Sequence, residues 1–228
     1  PLSNISSSCQ ILAEEIEEAD KAYKKELLAQ IDEQTDRARN IVRSLLDFSR
    51  EREFGKESLP LRRLFEETLR FLKGQVPSRI VIRMDVPEDI AIFADKQRIQ
   101  QAFLNLIRNA VEALGDEGEV VIMAKKHKAV EKTEETAELY NYLKYRGKCT
   151  VEGDTADIEI RDTGPGIPPE ILNRIFDPFF TTKDVGKGSG LGLFIVHEII
   201  EEHDGCIAVK SEAGKGTIFF ISLPVKGD

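Results

Sequence analysis

Apolar positions in this chain follow two periods, one before residue 54 and one after it. Over residues 1 to about 54 they recur every seven, with no glycine and no proline after Pro1, as expected of helices that share a seam. Leu2, Ile5, Cys9, Leu12, Ile16 and Ala19 make one stripe; Leu28, Ile31, Thr35, Ala38, Val42 and Leu45 make a second. Extending the first stripe would land on Tyr23, Glu26, Gln30 and Glu33, which are mostly polar, so the phase breaks near residues 22–27. Two antiparallel helices joined by a short turn account for the break; one long helix with a stutter is the competing reading. Leu27, Ile41, Leu46 and Phe48 widen the second stripe to the breadth a helix needs in a four-helix bundle. A homodimer through residues 1–54 would supply the other two helices. Packing of the hairpin on the domain that follows is the alternative.

Arg52 to Pro60, with Gly55 and Pro60, reads as a linker. Beyond it, helical segments near 61–73, 96–114, 168–174 and 190–203 alternate with strand-like runs at 79–85, 119–125, 156–161, 206–210 and 217–223. Ile80-Val-Ile and Ile158-Glu-Ile have strand character, and Ile218-Phe-Phe-Ile is almost continuously apolar. The pattern predicts an α+β chain: a helical hairpin over 1–54, then a domain over 55–228 with a mixed sheet covered by helices on one face. Residues 126–155 interrupt the order with a charge-rich stretch and read as a solvated insertion, in which Glu131 to Leu143 has the composition of either a helix or a loop.

At 228 residues, 41% apolar and 32% charged, the chain has the composition of a soluble globular protein. No apolar run approaches the roughly 20 residues of a membrane helix, and no signal peptide opens the chain. It begins at Pro1, so the expectation is a cytoplasmic piece of a longer protein, with any upstream sensor domain outside it. The net charge of −9 disfavours nucleic acid as a partner. Cys9, Cys149 and Cys206 are scattered, without CxxC spacing, and predict a reducing compartment with no disulfide or metal framework.

Four segments carry the chemistry. Asn105 and Asn109 lie four apart on the 96–114 helix and share a face; a neutral amide oxygen suits Mg²⁺ beside phosphates, because it adds no further negative charge. Asp162 ends an apolar strand and enters the turn Thr163-Gly164-Pro165-Gly166. A carboxylate there can accept the exocyclic amino group of adenine, while the glycines let the backbone approach the ring. Phe176, Phe179 and Phe180 can anchor a lid, with Lys183 and Lys187 as phosphate contacts, or they simply pack the core. Gly186-Lys-Gly188-Ser189-Gly190-Leu191-Gly192 runs into an apolar helix, offering backbone N–H groups and a helix start to phosphate oxygens. It is neither a P-loop nor a dinucleotide fingerprint.

In this order the segments resemble the catalytic ATP-binding domain of sensor histidine kinases, within the wider group that includes gyrase and MutL. The resemblance covers about residues 59–226: an N box at Asn105–Ala110, a G1 box at Asp162–Gly166, an F box at Phe176–Lys183, a G2 box at Gly188–Gly192, and Gly214-Lys-Gly216-Thr217 at the end. The short lid is similar to that of nitrogen-regulation-type sensor kinases. The resemblance implies a Bergerat α/β two-layer sandwich, bound ATP and Mg²⁺, and transfer of the γ-phosphoryl to a histidine for relay to an aspartate of a response-regulator receiver domain. It implies Asn109 as metal ligand and Asp162, Gly164, Gly166, Ile167 and Thr217 around adenine. Gly188, Ser189, Gly190, Leu191, Gly192 and Lys183 would serve the phosphates, and Asn105 would orient the transferred group. Residues 1–54 resemble the dimerisation and phosphotransfer hairpin, with Leu45-Leu-Asp-Phe-Ser-Arg50 near its end. The family's acceptor motif, a His and an acidic residue closely followed by Pro-Leu, would place the acceptor just before Pro1-Leu2. His127, His197 and His203 read as surface or packing residues, and a His197–Glu201 metal pair lacks further ligands. The rival readings are a gyrase- or MutL-type ATP-driven clamp and a non-catalytic ATP-gated scaffold. The clamp would need a Glu four residues before Asn109, where this chain has Asn105.

Overall fold

The computed structural model describes residues 2–14, 21–49, 55–128, 151, 153–183 and 188–225. The chain divides into two compact units, residues 1–52 with 177–191, and residues 53–176 with 192–228. In the first, α1 (Leu2–Glu14) packs on α2 (Lys21–Ser49). Because α2 begins at Lys21, residues 22–27 are helical, and the expected turn is not there. Lys21-Ala-Tyr-Lys-Lys-Glu-Leu-Leu contains no helix breaker, so these residues lie inside the second of the two packed helices that the sequence predicts. Residues 15–20, with Ile16 and Ala19, lie outside the described residues. Leu27 and Gln34, seven apart, are buried at 4% and 7% exposure, while Leu28 and Val42, fourteen apart, stand open at 58% and 53%. α2 thus buries one line and presents an adjacent apolar line.

The second unit holds β1 (Glu57–Pro60), α3 (Leu61–Phe71), β2 (Arg79–Asp85), β3 (Ala91–Ala94), α4 (Lys96–Leu114), β4 (Glu117–His127), β5 (Thr155–Asp162), α5 (Gly192–Glu202), β6 (Cys206–Glu212) and β7 (Gly216–Pro224). Five strands form a mixed sheet in the order β2-β4-β5-β7-β6. Only β2 and β4 run parallel, because the chain between them crosses over through β3 and α4. Part of the expected linker is a strand: β1 pairs antiparallel with β3, Leu59 opposite Ile92. Both strands are too short to carry a readable period. The helix expected over 168–174 is a series of turns, with Ile171 N donating to Pro168 O at 3.2 Å and Arg174 N to Ile171 O at 2.8 Å. Pro169 disfavours the helical conformation at residue 168, where the helix would start. The candidate helix Glu131–Leu143 lies outside the described residues.

Alternation sets the core. Ile122, Ile160 and Phe219 are successive cross-strand partners, as are Ile158, Ile221 and Ile207, and all six are buried. Their neighbours Glu119, Arg161 and Lys210 point to the other face, where Arg83 pairs with Glu119 at 2.6 Å. Over the buried face α4 places Ile99, Ala102, Phe103, Leu106 and Ile107 at 0% exposure, and the Phe103 ring stacks on Phe65 of α3 with centroids 4.3 Å apart. Asp95 caps α4, its Oδ1 accepting from Gln97 N at 3.0 Å and Arg98 N at 3.1 Å. Cysteine usage corrects the expectation of unpaired thiols: Cys9 is free, but Cys206 is disulfide-bonded, to a partner outside the described residues. Scattered spacing hides a bridge that only folding brings together. Among the described residues no helix is long and apolar enough to cross a membrane.

Replacing Phe103 removes a fully buried ring from the α3–α4 contact. Phe103→Ala should cost about 3–5 kcal/mol, read as a lower denaturant midpoint for the α/β unit; a loss below about 1 kcal/mol would contradict this packing.

Candidate functional site

The centre of the site is the end of β5. Asp162 lies opposite Val120 of β4 and Thr217 of β7, on the buried face, and is 4% exposed. Its Oδ1 accepts from Gly164 N at 2.8 Å and from Thr217 N at 3.3 Å. No described residue bonds Oδ2, so one carboxylate oxygen holds the turn and the other keeps its acceptor capacity. Burial pushes the Asp162 carboxyl above its ordinary value, against the lowering pull of the two N–H bonds. Desolvation wins, and an ionised Asp162 is under tension that a bound N–H donor would relieve.

The turn after Asp162 is clamped from both sides. Thr163 N donates to Glu119 O at 3.1 Å and Thr163 Oγ1 accepts from Glu119 N at 3.0 Å, tying it to β4. On the other side Gly214 N donates to Pro165 O at 2.7 Å, and Ile167 N donates to Ser211 Oγ at 2.7 Å. Ser211 Oγ also donates to Gly216 O at 2.9 Å and meets Thr217 Oγ1 at 3.0 Å. Sequence reasoning missed Ser211; a serine on the outer strand β6 gives no local signal, and only the β6–β7 register brings it to the turn. Two glycines are obligatory. Gly166 has φ 72° and a Cβ there would overlap Glu212 O; Gly216 has φ 93° and a Cβ there would overlap the Asp162 carbonyl.

α4 borders this turn. A Cβ on Gly164 would lie 3.5 Å from Ala113 of α4, and Ala113 continues the line Asn105–Asn109–Ala113 at four-residue spacing. The amides therefore lie on the side of the helix that meets the turn. Asn105 is 8% exposed, and its Oδ1 accepts from Arg108 Nη2 at 3.0 Å. Asn109 is half-buried, and no described residue bonds its amide. A neutral, unengaged oxygen donor beside a buried acid fits a hard cation that keeps several of its waters.

The remaining predicted residues, except Gly192 at the start of α5, belong to the other unit. There Gly190 has φ 69° and passes so close to Phe179 that a Cβ would overlap its carbonyl. Phe179 itself has φ 66° and is 57% exposed, so it is not a core residue. Leu191 N donates to Ser189 Oγ at 3.3 Å. Lys183 is exposed, its N–H donating to Thr181 Oγ1 at 3.2 Å; a Cβ on Gly188 would meet that Thr181 oxygen at 2.9 Å. Lys187 and Gly186 lie outside the described residues.

The histidines divide. His127 is half-buried, 3.6 Å from Asp157 Oδ2. The His197 Nδ1 and Nε2 lie 3.5 Å and 3.6 Å from Glu198 Oε1 and Glu201 Oε1. The three side chains offer polar atoms within 4.8 Å of one another on one partly exposed helix turn. His203 is fully buried and hydrogen-bonded at both nitrogens.

A model described as histidine kinase-, DNA gyrase B- and HSP90-like ATPase matches residues 94–227, and the His Kinase A (phospho-acceptor) domain matches residues 1–54. The chain is 37% identical over 195 residues to the sensor kinase CckA of Brucella abortus, covering 85% of this chain and 20% of that protein. It is 32% identical over 227 residues to the sensor histidine kinase ZraS of Salmonella typhi, covering 99% and 43%. It thus spans less than half the length of these relatives. The solved structure of histidine kinase ThkA in complex with the response regulator protein TrrA aligns at TM-score 0.67 and 25% identity, over 99% of this chain and 60% of that one. With the buried acid, the amide-bearing helix and the mixed five-stranded sheet in place, these matches establish that the chain belongs to the sensor histidine kinases, joining a dimerisation and phospho-acceptor type helix pair to the α+β domain of that family.

Proposed function

We propose that this chain is the cytoplasmic catalytic portion of a sensor histidine kinase, which binds Mg-ATP and directs its γ-phosphoryl to a histidine nitrogen. One observation carries the adenine assignment: Asp162 Oδ1 is consumed by the protein's own N–H groups while Oδ2 has no described partner. An amino group fits there and a carbonyl, as guanine would present, does not. Thr217, Gly164, Gly166 and Ile167 shape the adenine end. Asn109 is the metal ligand, Asn105 orients the phosphoryl group, and Lys183, Gly188, Ser189, Gly190, Leu191 and Gly192 serve the phosphates. Mg²⁺ supplies charge neutralisation on the phosphates; the side chains themselves position and do no covalent chemistry. His203 has both nitrogens committed to the main chain and is not available as the acceptor. The open apolar line of α2, Leu28 and Val42, favours a homodimer through residues 1–54, and the domain boundary near 54/55 follows from the same division of labour. A response-regulator receiver domain is the proposed recipient of the phosphoryl group, as the family and the partner named for ThkA suggest.

Mg-ATP should bind at least about tenfold more tightly than Mg-GTP, and Asp162→Asn should weaken ATP by about 10–100-fold. Undiminished ATP binding in that variant, measured by calorimetry, would remove Asp162 from the adenine site. The same substitution separates binding from stability. A carboxyl with a raised folded-state value contributes stability below its ordinary value and loses it as pH rises through the raised one. Asp162→Asn should therefore gain stability over the unaltered chain at neutral pH, with the gain vanishing in acid below the ordinary carboxyl range.

Gly214 and Gly216 offer a steric contrast. Both have positive φ, but a Cβ meets nothing within 4 Å at Gly214. Gly214→Ala should cost only backbone strain, about 1 kcal/mol, while Gly216→Ala should cost about 2–3 kcal/mol or more and reduce ATP affinity through the displaced Asp162; equal effects in thermal melts would contradict the geometry. For the dimer, sedimentation of the unaltered chain at rising concentration should show self-association that Leu28→Glu with Val42→Glu abolishes. A monomer at every concentration would count against it.

A further inference from the structure

His203 is 0% exposed and bonded at both ring nitrogens to main-chain groups of different elements. Asp95 N–H can only donate, and it reaches His203 Nε2 at 2.9 Å. Ile199 O can only accept, and it lies 2.7 Å from Nδ1. The ring is therefore neutral, with its proton on Nδ1 and its lone pair on Nε2. Asp95 is the cap of α4, and His203 directly follows α5, with His203 N donating to Ile200 O at 3.2 Å and Gly205 N to Ile200 O at 3.0 Å. Two ion pairs flank the imidazole, Arg98 Nη1 to Glu202 Oε2 at 2.7 Å and Lys56 Nζ to Asp204 Oδ2 at 2.7 Å. Both pairs are partly or largely exposed and worth little. The buried imidazole is the only one of the three contacts whose loss would orphan a main-chain donor among buried groups.

From this point α4 leaves by its N terminus and α5 arrives by its C terminus, and the two helices pack on each other. Counting back along α5, Gly192 lies 11 residues from His203, about 16 Å at the helical rise. Counting forward from Asp95, Asn105 and Asn109 lie about 15 Å and 21 Å along α4. The end of the glycine segment and the two amides therefore sit at similar heights above a shared base. A slip of one residue, about 1.5 Å, would misplace a metal-ligand amide against the start of α5.

We infer that His203 is a positioning residue for the phosphate end of the nucleotide site: its neutral imidazole, bridging Asp95 N–H and Ile199 C=O, fixes the axial register of α4 against α5. This rests on the nucleotide reading above. The adenine end does not depend on it, since Asp162 is held by β4 and β7. Protonation at Nε2 would set two donors face to face and release α4. Burial holds the His203 value below the ordinary histidine range, with Lys56 and Arg98 lowering it and Ile199 O and Asp95 raising it; Glu202 and Asp204 face the same point through their ion pairs. The register is thus kept at neutral pH and lost as pH falls through that lowered value.

The test uses the whole 228-residue chain and two ligands, adenosine and an unreactive Mg-ATP analogue. His203→Phe should weaken the analogue by about tenfold while adenosine affinity changes less than about twofold, and His203→Gln, which keeps an acceptor and a donor, should recover most of the loss. Equal losses for both ligands, or an analogue affinity unchanged in His203→Phe, would overturn the inference. If His203→Phe does not fold, the unaltered chain decides: the ratio of analogue to adenosine affinity should hold at neutral pH and fall as pH drops below the ordinary histidine range, and should stay flat in His203→Gln. A ratio flat in both chains, or falling equally in both, sinks the proposal. Failure of the unaltered chain to bind either ligand at neutral pH would instead overturn the nucleotide reading.

Discussion

Two main-chain N–H groups, from Gly164 and Thr217, hold a carboxylate where burial makes ionisation costly. The site is organised around this constraint. Because both bonds end on Oδ1, the second oxygen keeps its acceptor capacity unspent among the described residues. Because the donors come from the turn itself and from the opposite strand β7, Asp162 cannot move without disturbing the sheet. Preorganisation of this kind lets a ligand bond the acid without ordering it first.

The turn that follows is rigid for the same reason. Strand β4 grips Thr163 from one side, while the β6–β7 hairpin grips Pro165 and Ile167 from the other. Glycines at 166 and 216 let these backbones approach within distances that no side chain would allow. α4 then lays its amide line against the turn at Ala113, and Phe103 and Phe65 lock α4 onto α3 behind it. Core packing is thereby transmitted to the position of two asparagines.

Much of the α/β unit is legible in the sequence. Strand β5 alternates apolar with polar residues, so its period and buried face could be read directly, whereas β4 and β7 are near-continuous apolar runs that mark a strand without marking its buried face; α4 carries a clear four-residue stripe. The elements that escaped were those too short for a period, β1 and β3, or those whose pattern imitated another state. Prolines 168 and 169 begin a segment with helical composition that folds as successive turns, while the helix pair at the start was legible and only its connection was placed too late, since residues 22–27 lie within α2. Among the site residues, Asp162, Gly166, Thr217 and the two asparagines stand in local motifs and could be named. Ser211 and His203 could not, since neither has a neighbour in sequence that explains its chemistry.

Residue order alone determined the family, the residue types available for the chemistry and the periods of the principal strands and helices, because each of these is encoded within a few positions. Folding decided which oxygen of Asp162 is occupied, that Cys206 is bridged, and that a histidine after α5 caps the donor of a residue 108 positions earlier. Those outcomes depend on strand register and helix docking, where groups distant in sequence must compete for the same hydrogen bonds in a space from which water has been removed.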